Sequence, residues 1–284
     1  MDRTRFAIDT ASLAGSLSEK LGAAADAGFT RVALRAKDLV GEQSGGLDGA
    51  VQCLHDSRLA VCGFEALRDF EGLAGRFLDY KIDIAKSMLR MMQQAGADLL
   101  LVSSSTSPQA SGEPEVIAQH LRLLATLATP LGIRIGYEPL AWGRHVSDYQ
   151  AAWRAVKLAD RENVGLVLDS FHLFARGLPL DDMYRIPMDK LFLVQLSDAM
   201  CDYVPALDEM VEISLHHRFF PGEGEHSVAL LEMVGRLEAA GYRGAYAFEV
   251  ANDDYQQCPP ALVARRAAQS VDWLVGKLTG GASH

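Results

Sequence analysis

Residues 165–177 read GLVLDSFHLFARG, an apolar run that delivers Asp169, Ser170 and His172 at its end. Leu166, Val167 and Leu168 have the composition of a strand buried on both faces, as in a parallel sheet. A carboxylate and an imidazole placed where such a strand stops fit a fold that keeps its chemistry at strand ends. Working outward, seven further apolar runs rich in β-branched residues occur at 6–10, 31–35, 59–65, 97–103, 133–138, 191–197 and 245–250, and the run at 164–169 completes the set. Segments with apolar residues at three- and four-residue spacing lie between them, at 16–27, 72–94, 114–128 and 259–277. Several end in Gly before the next strand, as in QQAGADLLLV and TPLGIRIGYE, where a left-handed residue closes a helix.

Eight strand candidates alternating with helices, and no linker rich in Pro, Gly or Ser, predict one α/β domain. The expected fold is a (β/α)8 TIM barrel over residues 1–280, with 281–284 as a frayed tail. A doubly wound open sheet is the second choice. It is disfavoured by the strand count and by the lack of a Gly-rich dinucleotide turn after the first strand.

The chain has 284 residues, 49% of them hydrophobic and 23% charged, with formal net charge −10. An acidic chain without a basic block is expected to act on a small molecule rather than on nucleic acid or a membrane surface. The four cysteines, Cys53, Cys62, Cys201 and Cys258, form no CxxC pair, so they read as reduced thiols. No signal-peptide-like or membrane-spanning run is present, and the expected location is the cytoplasm. Exposed apolar loop residues leave a homo-oligomer open.

The strand ends of the second half concentrate polar groups. The fifth carries Glu138, followed by Arg144 and His145; the sixth carries Asp169 and His172; the seventh carries Gln195, Ser197 and Asp198; the eighth carries Glu249 and Asn252. Taken singly, each has a plain explanation: a strand-terminal carboxylate caps the next helix, a Gln bonds a loop, and a His packs. Four oxygen donors, Glu138, Asp169, Gln195 and Glu249, on four successive strands point further. Three carboxylates converging on one mouth repel unless a cation lies between them. A divalent ion that accepts oxygen ligands, Mg²⁺, Mn²⁺ or Co²⁺, meets that need.

At these residues the sequence resembles the xylose-isomerase-like barrels of the sugar phosphate isomerase/epimerase superfamily, and within them the bacterial 3-dehydroshikimate dehydratases. The resemblance rests on RDFEG at 68–72, IGYEPLAWGRHVSDYQAAW at 135–153, GLVLDSFHLF at 165–174, VQLSDA at 194–199, HHRFFPGEGE at 216–225 and EVANDDY at 249–255. It implies that Glu138, Asp169, Gln195 and Glu249 ligate a divalent metal, and Gln at the third position is the dehydratase-like choice. It also implies catalytic roles for His172, His145 and Glu249, with Arg68 and Arg218 binding the substrate's carboxylate and hydroxyls. Ser197 and Trp142 join them as candidates at the pocket. The chain departs from that pattern at VALRAKDLV around the second strand, at Glu65-Ala66-Leu67, and at Ala251, positions that bear on the substrate.

The expected reaction removes a C–H proton beside a ketone and expels a β-hydroxyl, converting 3-dehydroshikimate to protocatechuate. A base with pKa near 7 suits that step, which makes His172 the first candidate and His145 the second. Arg68 offers a fork to the carboxylate, unless it forms a surface pair with Asp69 or Glu71. The alternative is a metal-dependent isomerase or epimerase of a ketose or inosose, in which Glu138 or Glu249 moves the proton. A barrel that binds a metal without turnover is the third reading, disfavoured by the complete ligand set.

Overall fold

Each of the eight apolar runs forms a strand: β1 Phe6–Asp9, β2 Arg31–Arg35, β3 Ala60–Leu67, β4 Leu99–Ser103, β5 Arg134–Glu138, β6 Val164–Asp169, β7 Leu191–Leu196 and β8 Ala245–Phe248. In the computed structural model, which describes residues 1–41 and 45–280, they pair in parallel and in chain order, and β1 pairs with β8. The sheet is therefore closed, and the open doubly wound alternative is excluded. The predicted tail, 281–284, lies outside the described residues.

The main outer helices are α1 (Leu17–Asp26), α3 (Gly46–Ser57), α4 (Gly75–Ala95), α5 (Pro114–Ala128), α6 (Tyr149–Ala159), α8 (Leu207–His216), α9 (Ser227–Ala239) and α11 (Pro260–Gly280). Shorter ones are α2 (Ala36–Val40), α7 (Ser170–Phe174) and α10 (Asp253–Gln256). Between β6 and β7 only α7 and two 3₁₀ turns cover the sheet. Ser16 caps α1 in a capping box with Glu19, which satisfies amides that the first turn leaves unpaired. Along α4, Ala85, Met88, Leu89 and Met92 are buried at helical spacing and turn to the sheet. Truncating Leu89 to Ala removes packing worth about 2–5 kcal/mol.

Helix α4 begins later than the apolar pattern from residue 72 suggests. Gly72 is held outside it: its amide donates to His120 Nδ1 at 3.0 Å and its carbonyl accepts from the Ser111 amide at 2.8 Å. Its φ of +79° is left-handed, which a helix cannot continue. Phe70 and Leu73 are buried in this loop, so their apolar spacing reports loop packing.

Large apolar residues lie between sheet and helices, whereas the barrel interior is filled by Ala7, Ala33, Cys62, Leu99, Leu101, Val167, Leu193 and Ala247. A Cβ at Gly136 would come within 2.6 Å of Val167 Cγ2, and one at Gly63 within 3.1 Å of Leu101 Cδ1. Both glycines make room for aliphatic side chains from other strands. Among the described residues no helix is long and apolar enough to cross a membrane.

Candidate active site

Side chains of a strand return to the same face every second residue. Two positions beyond each interior residue, every strand presents a polar group at the C-terminal mouth. Asp9 follows Ala7, Arg35 follows Ala33, Glu65 follows Gly63 and Ser103 follows Leu101. Glu138 follows Gly136, Asp169 follows Val167, Gln195 follows Leu193 and Glu249 follows Ala247. The sequence reading found the four from β5 to β8 and missed Asp9, Arg35, Glu65 and Ser103. The two-residue step past Ala7, Ala33 and Gly63 was the available signal.

Charge within this layer is dense and shielded from water. Ligand-capable atoms of Glu138, Asp169 and His172 lie within 4.8 Å of one another, and so do those of Asp9, Glu65 and Glu249. Two arginines neutralise part of the charge. Arg218 Nη1 lies 2.6 Å from Asp169 Oδ2 and 3.3 Å from Glu249 Oε2. Arg35 Nη2 lies 2.5 Å from Glu249 Oε1 and 3.1 Å from Glu65 Oε2, with Nε 3.5 Å from Asp9 Oδ1. Four carboxylates thus share two guanidiniums, and Glu138 pairs with neither among the described residues.

Protonation follows this imbalance. Burial, then the nearby Glu249 and Asp169 carboxylates, pushes Glu138 up to about 8 against the opposing Ser103 hydrogen bond and Arg218 charge. Burial with Asp9 and Glu249 holds Glu65 well above the usual carboxylate range. A divalent cation among these oxygens would offset the carboxylate repulsion in both shifts. Gln195 adds a second sign: its Oε1 is buried with no hydrogen-bond partner among the described residues, a costly vacancy for an amide oxygen. The donor set therefore fits a hard or borderline cation held by Glu138, Asp169, Gln195 and Glu249.

Above the layer lies a cavity of about 280 Å³, lined among others by Arg35, Lys37, Glu65, Arg68, Glu138, Trp142, His172, Arg218 and Glu249. A larger recess of about 690 Å³ opens at the other end of the strands, lined by Arg31, Ala60, Cys62 and Arg134. That end of a barrel serves stability rather than catalysis.

The remaining predicted residues divide. His172 is buried on α7 rather than in a loop, with Trp142 edge-on at 4.9 Å between ring centroids. Its Nε2 lies 3.8 Å from Glu138 Oε1 and 3.6 Å from Asp169 Oδ2. The expected base titrating near 7 is not what the fold builds. Burial, then Arg218, pushes this imidazole down to about 3, so it is neutral. The Ala141 amide donates to Nδ1 at 3.3 Å, which puts the ring proton on Nε2.

His145 is exposed and outside the cavity, its Nε2 2.9 Å from the Ala110 carbonyl and its ring against Gly112. The structure thus removes the second candidate base from the site, because its loop folds back over the segment at 110–112. Arg68 is exposed at the cavity rim and has no ion pair among the described residues. The surface pair with Asp69 or Glu71 does not form: Asp69 accepts from Thr106, and Glu71 from the Ser105 amide and Tyr137 hydroxyl.

Arg218, expected to bind substrate, is buried and committed to the protein. Besides its two carboxylates, Nε donates to the Ser214 carbonyl and Nη2 to Ser214 Oγ. Asn252 Nδ2 donates to the Arg218 carbonyl at 2.9 Å and fixes that loop. Ser197 is buried beneath, its Oγ 3.4 Å from Arg218 Nη1. Asp198 braces the loop through the amides of Gly224 and His226. Sequence reasoning also missed Lys37, which lines the same cavity as Arg68.

Residues 21–275 match the family described as Xylose isomerase-like TIM barrel. The chain is 40% identical over 268 residues to a 3-dehydroshikimate dehydratase of Pseudomonas putida, covering 94% of this chain and 41% of that protein. A 3-dehydroshikimate dehydratase of Pseudomonas aeruginosa is 38% identical over 270 residues, covering 95% of this chain and 42% of the relative. Among solved structures, a xylose isomerase-like TIM barrel/4-hydroxyphenylpyruvate dioxygenase fusion protein superposes with a TM-score of 0.90 at 37% identity. That superposition takes in 97% of this chain and 43% of the fusion. The chain thus spans about two fifths of the length of the curated relatives it matches.

Proposed function

The chain belongs to the xylose isomerase-like TIM barrel family, and from that premise we propose that it is a divalent-metal-dependent dehydratase converting 3-dehydroshikimate to protocatechuate. The observation that carries the metal is the unpartnered Gln195 Oε1 beside an under-neutralised ring of buried carboxylates. The substrate is suggested by the two dehydratase relatives. When bound, a Mg²⁺, Mn²⁺ or Co²⁺ ion would polarise the ketone and stabilise charge developing on its oxygen.

The chain's own residues do the rest. Arg68, with Lys37 lining the same cavity, receives the substrate carboxylate at the rim. Trp142 walls the cavity and packs the His172 ring, keeping water from the reacting carbons. Arg218 holds Asp169 and Glu249 in place. His172 handles the proton at Nε2. To accept it, the ring first changes tautomer, losing its Nε2 proton to solvent and taking one from solvent at Nδ1 in place of the long Ala141 contact. The proton taken from carbon then leaves with the β-hydroxyl as water, the C–H electron pair forming the new C=C bond. Keto–enol tautomerisation completes the aromatic ring. Small-molecule turnover and the absence of a basic surface block suit a cytoplasmic enzyme.

Incubating the protein and Mn²⁺ with 3-dehydroshikimate, while following protocatechuate absorbance, tests this reading. Product should form, stop with EDTA, and fall at least about 100-fold in Glu249→Ala, since even an outer partner of a metal ligand is worth about 10–100-fold. Conversion of a ketose or inosose without protocatechuate would replace the dehydratase by an isomerase.

A further inference from the structure

Gln195 Nε2 has two neighbours, Glu65 Oε1 at 2.7 Å and Glu249 Oε2 at 3.0 Å. Both are carboxylate oxygens that accept, the opposite oxygen of each carboxylate lying on Arg35 Nη2. A side-chain amide can sit in either of two orientations that differ by a half-turn. Here one of them would set the amide carbonyl against two carboxylates. The other, which the fold adopts, spends both N–H bonds on Glu65 and Glu249 and leaves Oε1 buried without a donor among the described residues.

We infer that Glu65 is a positioning residue for the metal: by holding Nε2 of Gln195, it aims Oε1 at the cation. A carboxylate that accepts from an amide N–H also draws electron density toward the amide oxygen, making a neutral ligand more basic. It does for a glutamine what a carboxylate does for a metal-bound histidine. Arg35 sets Glu65 in turn. Its Nη2 binds the other Glu65 oxygen and Glu249 Oε1, and the two residues are register partners across β2 and β3. The region in which this chain departs from the dehydratase-like pattern, around Arg35 and Glu65, thereby reaches the centre through one amide. The inference rests on the metal reading above.

The experiment measures Mn²⁺ affinity from the signal of the free ion in electron paramagnetic resonance, without substrate, on the whole chain. Glu65→Gln should weaken Mn²⁺ binding about 10–100-fold, with thermal unfolding of the metal-free protein little changed. Made on top of Gln195→Ala, the same substitution should cost under about threefold, because the group it acts through is gone. Losses that add in the double variant would mean Glu65 acts by its charge alone and overturn the inference. If Glu65→Gln does not fold, the charge-conserving double variant Glu65→Gln/Gln195→Glu decides. It keeps an amide donating to a carboxylate with the roles exchanged, and should bind Mn²⁺ as tightly as the parent. Binding tenfold weaker than the parent would count against the relay. A parent protein that takes up no Mn²⁺ would remove the metal reading itself, a result distinct from either.

Discussion

Arg218 Nη1 donates to Asp169 Oδ2 at 2.6 Å, so a residue in the loop between α8 and α9 holds a strand-end carboxylate 49 positions earlier. Both side chains are nearly inaccessible to solvent. A buried pair is a poor source of net stability, but breaking it strands a charge, at about 3–5 kcal/mol. Arg218→Met should destabilise the metal-free protein by about that amount in urea unfolding. Saturating Mn²⁺ should restore part of the loss, since a cation takes over the neutralisation. A change below about 1 kcal/mol would show that Asp169 does not depend on this arginine.

Arg68 is the opposite case, exposed at the rim and unpaired among the described residues. A hydrogen bond to a charged group contributes about 1.5–3 kcal/mol. Arg68→Ala should therefore cut kcat/KM for 3-dehydroshikimate roughly 10–100-fold, mostly through KM, and leave the melting temperature alone. Unchanged kinetics would pass the carboxylate to Lys37.

His172 stands close enough to Glu138 and Asp169 to be taken for a ligand. A proton-handling role separates from that in one variant. His172→Gln should lower kcat about 10²–10⁴-fold while Mn²⁺ affinity stays within about tenfold. Collapse of metal binding would make the imidazole a ligand instead.

Away from the metal residues, Glu71 is buried between the Ser105 amide and Tyr137, and its Oε2 has no partner among the described residues. Burial pushes its carboxyl up to about 7 from an ordinary 4.5, the Ser105 hydrogen bond only partly offsetting it. The folded state therefore binds this proton more tightly than the unfolded one. The contribution is complete below pH 4.5 and is lost as pH rises through 7, by about 3 kcal/mol. Glu71→Gln keeps the acceptor without the charge. It should flatten unfolding free energy between pH 4.5 and 7 and be the more stable protein at pH 8. Parallel pH profiles for parent and variant would rule out Glu71 as the titrating group.

All eight strands were legible because each is a continuous apolar run between helical patterns. The strand-end donors from β5 to β8 were legible because each polar residue breaks an apolar run just before a loop. Asp9, Arg35 and Glu65 stand two past alanine or glycine just as Glu138 and Glu249 do, but the recognisable motifs crowd the chain past residue 133, so nothing singled out the mouth of β1 to β4. His145 misled for another reason: a histidine seven residues past Glu138 lies within reach of the mouth in sequence. Only the loop path turns it away, onto Ala110.

By itself, then, the order of residues determined the eightfold strand–helix repeat and the height at which its polar groups emerge. Both follow from local periodicity, two residues per turn of the pleat and about four per helical turn. Tertiary structure alone decided which charge meets which: Arg218 with Asp169, Arg35 with Glu249, and Glu65 with Gln195. Those partners lie 49, 214 and 130 positions apart. Their meeting depends on barrel closure and on loop packing, and no local pattern encodes either. The amide of Gln195 shows the division plainly. Its place on the seventh strand could be read from the chain, but the direction of its oxygen is set by a carboxylate on the third.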